Sequence, residues 1–148
     1  MRNPQETPAA YIGEGMTTSV GAARILLVED DEANRQNFEE FLDCYGDQVL
    51  SMANGSGLFQ ALAGFQPHLI LLDVKLPDVD GYTLLEQLQQ SSHWQHIPVI
   101  IVSAFASKAD QKRARSLGAI QYLVKPTNLD DLQQAIQEGI ALTQAVTP

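Results

Sequence analysis

A single cysteine, Cys44, stands in the 148 residues, so no internal disulfide can form. The three histidines, His68, His93 and His96, stand alone and make no Cys/His spacing of a zinc site. A reducing, cytoplasmic setting is expected. Basic residues are also scarce: 9 Lys and Arg face 18 Asp and Glu, for a net charge of -9, which argues against non-specific binding to nucleic acid or to an anionic membrane. No apolar run is long enough to span a bilayer, and the opening MRNPQETPAAYIGEGMTTSVGA lacks the unbroken apolar stretch of a signal peptide. Neither export nor membrane insertion is expected. Cys44 reads as a small packing residue near the end of a first helix.

What is present fits one domain of ordinary size. Residues 1–22 mix Pro, Gly, Thr, Ser and Ala without a sustained period and read as a mobile arm; the domain is expected over 23–143, with a short tail over 144–148. From Ala23 onward, apolar runs alternate with amphipathic stretches. The runs RILLV, HLILLDV, PVIIVSAF and IQYLV are nearly continuous, as strands of a parallel sheet covered on both faces require, while DQVLSMA is more mixed and reads as an edge strand. Between them, Phe38, Phe41, Leu42 and Tyr45 fall at helical spacing, as do Leu58, Ala61, Leu62 and Phe65. Gly81 begins a third helix through Leu88, and a fourth runs from about Ser107 to Leu117 before Gly118. A fifth follows Asn128 as its N-cap. The pattern is β and α in alternation, five times, which implies an α/β doubly wound five-stranded parallel sheet with helices on both faces.

In that architecture ligands bind beyond the carboxyl ends of the strands. Glu29, Asp30, Asp31 and Glu32 follow the first run, Asp73 ends the third, Ser103 and Ala104 end the fourth, and Lys125 and Pro126 end the fifth. Carboxylates within about 4 Å of each other repel by roughly 1 to 4 kcal/mol per pair. A hard divalent cation such as Mg2+, the Lys125 ammonium, or both would offset that. With such compensation an aspartate carboxylate can attack a phosphoryl group to form an acyl phosphate. Asp31 and Glu32 read instead as a solvated helix start, where acids complement the helix dipole.

The acidic pair, the D-x-x-x-P-x-x-D-G segment from Asp73, the Ser103-Ala104 pair and Lys125-Pro126, each at its strand end, give a pattern that resembles the receiver domain of bacterial response regulators over about residues 23–143. The resemblance implies the strand order 2-1-3-4-5 and a stand-alone, single-domain regulator in two-component signalling. It makes Asp73 the phosphoacceptor, Asp30 a direct magnesium ligand and Glu29 one acting through water, with Lys75 contributing only its backbone carbonyl. Ser103 and Lys125 would bind the phosphoryl group, Tyr122 would be the aromatic that follows Ser103, and the Lys125–Pro126 bond would be cis. A sensor histidine kinase or histidine phosphotransfer protein would be the donor and an unidentified protein the output target. The chain would be no enzyme beyond its own phosphorylation and dephosphorylation. Ser103 stands where threonine is commoner in the family and Leu76 where methionine is; both keep the needed hydroxyl or bulk.

Lys108, Lys112 and Arg115, with Arg113, place four of the nine basic residues on the fourth helix. They read either as a solvated face or as a partner-docking or dimer surface that responds to phosphorylation. Among competing functions, a magnesium-dependent aspartyl-phosphate phosphatase would need a second aspartate two residues after Asp73, where Lys75 stands, and a flavin carrier would need a hydroxyl-rich loop where the acids are. A pseudo-receiver that binds partners without phosphorylation is the strongest competitor.

Overall fold

A computed structural model describes residues 23–146, and both the expected N-terminal arm and the last two residues of the expected tail lie outside the described residues. Five strands and five helices alternate in the order β1 (Arg24–Val28), α1 (Glu32–Cys44), β2 (Gln48–Met52), α2 (Leu58–Phe65), β3 (Leu69–Leu72), α3 (Gly81–Gln90), β4 (Val99–Ser103), α4 (Lys108–Ser116), β5 (Gln121–Val124) and α5 (Leu129–Val146). All strand pairs are parallel and the sheet order is β2-β1-β3-β4-β5. The doubly wound flavodoxin-like architecture is thus the one expected. No described helix is long and apolar enough to cross a membrane.

The near-continuous apolar strands feed two cores. Leu26, Val28, Ile70, Leu72, Val99 and Ile101 meet Leu58 and Leu62 of α2, Leu85 and Leu88 of α3 and Ala114 of α4. The alternate residues Ile25, Leu27, Leu69, Leu71, Ile100 and Val102 meet Phe38 and Leu42 of α1 and Leu132, Ile136 and Ile140 of α5. Each such side chain contributes about 1.5 to 3 kcal/mol on burial, so a one-residue slip of any inner strand would exchange the residues of both cores at once. β2 lies at the edge, and Leu50 at its centre remains 37% exposed.

Helix ends follow the local sequence. Asp31 caps α1 by accepting from the Asn34 N–H, Ser107 caps α4 by accepting from Asp110 N–H, and Asn128 Oδ1 accepts from Asp130 and Asp131 at the start of α5. Gly118, at φ 106°, turns the chain after α4. Two expectations at the end of α1 need correction. Cys44 is exposed, not packed, and Tyr45 is 47% exposed although it continues the apolar spacing. The helix stops at Cys44, and Gly46 at φ 83° swings the chain toward β2, so Tyr45 leans edge-on against Phe41 with ring centroids 5.1 Å apart.

Candidate functional site

Parallel strands bring their carboxyl ends to one rim, and β1 and β3 are hydrogen-bonded neighbours with Val28 opposite Leu72. Their next residues, Glu29 and Asp73, are therefore adjacent: the Asp73 N–H donates to the Val28 carbonyl at 3.0 Å. Glu29 is 1% and Asp73 5% exposed, whereas Asp30 is exposed. Each of the three offers a carboxylate oxygen such that all lie within 4.8 Å of one another. Lys125, arriving from β5, closes the group. Its Nζ donates to Asp73 Oδ2 at 2.8 Å and sits 2.7 Å from Glu29 Oε1.

The Lys125–Glu29 contact is a close ion pair without hydrogen-bond alignment, for Glu29 Oε1 is buried with no aligned donor. Burial pushes the Glu29 carboxyl above its usual range and outweighs the Lys125 ammonium and the Asp31 N–H, while the Asp73 charge adds to the rise. Burial alone would lower the Lys125 ammonium. The hydrogen bond to Asp73 and the close negative charges of Asp73 and Glu29 overrule it, so the group is held more firmly protonated than a free lysine. One ammonium against three clustered carboxylates leaves negative charge in excess, and the donors are all hard oxygens. The site therefore fits a divalent cation of the magnesium class.

The backbone around these groups is held by side chains that sequence reasoning passed over. Arg35, one turn into α1, donates from Nη1 to the carbonyls of Glu29 at 2.9 Å and Asp30 at 3.3 Å, fixing the acidic turn. Only the direction of its side chain along the helix reveals this. Asp80 caps α3 by accepting from Tyr82 N–H, and Lys75 bridges to Asp80, which folds the segment after β3 back on itself. Gly81 is required by space. A Cβ there would lie 2.4 Å from Val74 Cα and 2.7 Å from the carbonyl oxygen of Asp73. The Asp-Gly pair of the quoted segment was the available signal. Lys75 N–H donates to Asp73 Oδ1 at 3.0 Å, and its ammonium lies 5.4 Å from the centre of the Phe105 ring.

Ser103 is fully buried at the end of β4, and its Oγ accepts from the Phe105 N–H at 3.1 Å. Tyr122, 5% exposed, donates its hydroxyl to the carbonyl of the same Phe105 at 2.8 Å. The two expected switch residues thus grip one loop residue from opposite sides of its backbone. Beyond them, Tyr82 donates to the Asp110 carbonyl at 3.3 Å, and the Arg113 guanidinium covers the Tyr82 ring at 4.2 Å. Burial, with the neighbouring Tyr122, holds the Tyr82 hydroxyl well above the usual phenol range. Lys108, Lys112 and Arg115 are exposed on α4, and Arg115 reaches Gln121 Oε1 at 3.1 Å. The Lys125–Pro126 bond is cis.

A family model for the response regulator receiver domain matches residues 25–137. The polar-differentiation response regulator DivK of Brucella anthropi is 33% identical over 113 residues, which cover 76% of this chain and 92% of that protein. A CheY-like response regulator receiver domain protein from Methanospirillum hungatei superimposes with a TM-score of 0.77 at 29% identity, covering 84% of this chain and 98% of the other. The receiver domain of a sensor histidine kinase from Pseudomonas aeruginosa, solved with magnesium coordinated in its active-site cleft, gives a TM-score of 0.74 at 29% identity, over 82% and 99% of the two chains.

Proposed function

The chain belongs to the response regulator receiver domain family of two-component signalling, and from that premise we propose that Asp73 is its phosphoacceptor. The donor is a phosphohistidine on a sensor histidine kinase or a phosphotransfer protein in the cytoplasm. Output is by altered protein contacts. The observation that carries this reading is the Lys125 ammonium set between Asp73 and Glu29, with Asp30 alongside.

In the reaction an Asp73 carboxylate oxygen attacks phosphorus, the P–N bond to the donor imidazole breaks, and its electron pair stays on the imidazole nitrogen. Lys75 N–H on Oδ1 and Lys125 on Oδ2 orient the carboxylate for that attack. Glu29, Asp30, Asp73 and the Lys75 carbonyl would hold magnesium. When bound, it supplies positive charge beside the phosphoryl oxygens. Lys125 then pairs with a phosphoryl oxygen, and Ser103 turns its hydroxyl toward another. That turn costs Ser103 its contact with Phe105 N–H, so the Phe105 grip of Tyr122 and the position of α4 change with it.

Incubation with magnesium and a small acyl phosphate tests this by intact mass. The wild-type protein is expected to gain one phosphoryl group, and Asp73→Asn none. No gain, or an equal gain in the variant, would overturn the phosphoacceptor reading and favour a phosphorylation-independent binding module. We further propose that Lys108, Lys112 and Arg115 form the surface that partners or a second copy read. Charge reversal at Lys112 and Arg115 is expected to abolish dimerisation or partner binding of the phosphorylated form while the mass gain persists.

A further inference from the structure

Arg35 is half-buried in the first turn of α1, where the positive end of the helix dipole disfavours a cation. Its place there is explained by what it holds. Nη1 donates to the Glu29 carbonyl at 2.9 Å and to the Asp30 carbonyl at 3.3 Å, while the Arg35 N–H donates to the Asp31 carbonyl at 2.9 Å. Successive carbonyls of the acidic turn therefore converge on one residue. Because a peptide unit is a rigid plane, a hydrogen bond to its carbonyl also aims its N–H. The plane that carries the Asp30 carbonyl carries the Asp31 N–H, which donates to Glu29 Oε2 at 3.0 Å. Arg35 thus reaches the Glu29 carboxylate through one peptide unit, and Oε1 is left to Lys125 at 2.7 Å.

Asp30 depends on the arginine more directly. It is exposed, and among the described residues no hydrogen bond or ion pair holds its carboxylate. The direction of its side chain is set by the two peptide planes that flank it, since their rotation is the only freedom its backbone has. Arg35 grips both planes, one by the Glu29 carbonyl and the other by the Asp30 carbonyl. We propose that Arg35 is a positioning residue for the cation site: by fixing the peptide units around Asp30 it aims the Asp30 and Glu29 carboxylates at the ion they share with Asp73. It acts through the backbone and not on the ion or the phosphoryl group. The inference rests on the reading of this rim as a magnesium-dependent phosphorylation site. Its sign is opposite to that of charge alone, because a guanidinium beside the acids repels a cation and its removal would by itself tighten binding. Groups that orient direct ligands typically contribute about ten- to a hundredfold to metal affinity, which is enough to reverse that sign.

Magnesium titrated into the isotope-labelled full chain at constant ionic strength, followed by the amide shifts of Asp30 and Lys75, tests the proposal. Arg35→Met, which keeps the stem and removes the donors, is expected to raise the midpoint about tenfold. Phosphorylation by a small acyl phosphate should fall in step at limiting magnesium and recover at saturating magnesium, a split that a general loss of fold would not give. In chelator, where no ion contributes, water exchange at the Asp31 amide should quicken, because the peptide unit that aims it at Glu29 is released. Arg35→Lys keeps the charge and a donor but loses the planar fork, so its midpoint should lie between those of wild type and Arg35→Met; it also carries the test if the methionine variant does not fold. A midpoint at or below that of wild type in the folded variants would overturn the proposal, as would unchanged exchange at Asp31. A wild-type chain with no saturable shift would overturn the magnesium reading of the rim itself, and this inference with it.

Discussion

Lys125 holds apart two carboxylates that would otherwise face each other in a buried rim, with its Nζ 2.7 Å from Glu29 and 2.8 Å from Asp73. Its replacement by methionine keeps the stem and removes the charge. In the presence of chelator, Lys125→Met is expected to lose about 3 to 5 kcal/mol of stability, the usual cost of leaving buried charge uncompensated, measured by urea denaturation. Magnesium should restore part of that loss, because the Glu29, Asp30 and Asp73 oxygens remain. Phosphorylation by acyl phosphate should fall by at least about tenfold, as removal of a charge on the reacting phosphoryl group implies. Asp47 makes a different prediction. Burial, against the opposing Ala23 N–H, raises its carboxyl from 3.8 to about 6. An acid with a raised folded-state pKa gives stability that is complete below its unfolded value and is lost as pH rises through the folded one. Thermal midpoints in chelator should therefore show Asp47→Asn gaining on wild type as pH climbs from 4 through 6 to 7. A constant difference across that window would show that the carboxyl is not perturbed.

At the scale of elements, α4 is tied to the site through one loop residue. Ser103 takes the Phe105 N–H and Tyr122 the Phe105 carbonyl, while Tyr82 and Arg113 pin α4 to α3. Tyr122→Phe removes one hydrogen bond, worth about 1 kcal/mol, and is expected to speed amide exchange over residues 104–107 without slowing phosphorylation. The α3 start is more rigid. Gly81→Ala would press a methyl group against the backbone that carries Asp73, so it should cost about 1 to 3 kcal/mol and impair phosphorylation as well. Retained activity with full stability would mean that the segment after β3 yields more easily than its contacts suggest. The Asp-Gly pair was visible in the sequence, but the reason for the glycine was not, because the close approach is to Val74, a residue seven positions earlier.

For the molecule as a whole, the strand ends were legible because each buried run is nearly continuous and stops at a polar residue. LILL stops at Asp73 and QYLV at Lys125, and parallel pairing delivers both to one rim. Glu29, Asp30, Asp73 and Lys125 therefore come together as the spacing implied. What could not be read depends on side-chain direction and depth. Arg35 reaching back to the Glu29 carbonyl, Arg113 lying over Tyr82, and Asp47 sinking beside Gly46 in what reads as a surface turn leave no trace in hydrophobic period. The local sequence around Cys44 and Tyr45 even pointed the wrong way, because the apolar spacing runs on past the point where the helix stops. The central claim, that this assembly exists to place a phosphoryl group on Asp73, is tested most directly by trapping the acyl phosphate. Borohydride reduction of the magnesium- and acyl-phosphate-treated protein converts a phosphorylated aspartate to homoserine, which peptide mass spectrometry then locates. Homoserine at position 73 alone is predicted; homoserine at Asp30 or another aspartate, or at none, would contradict the account.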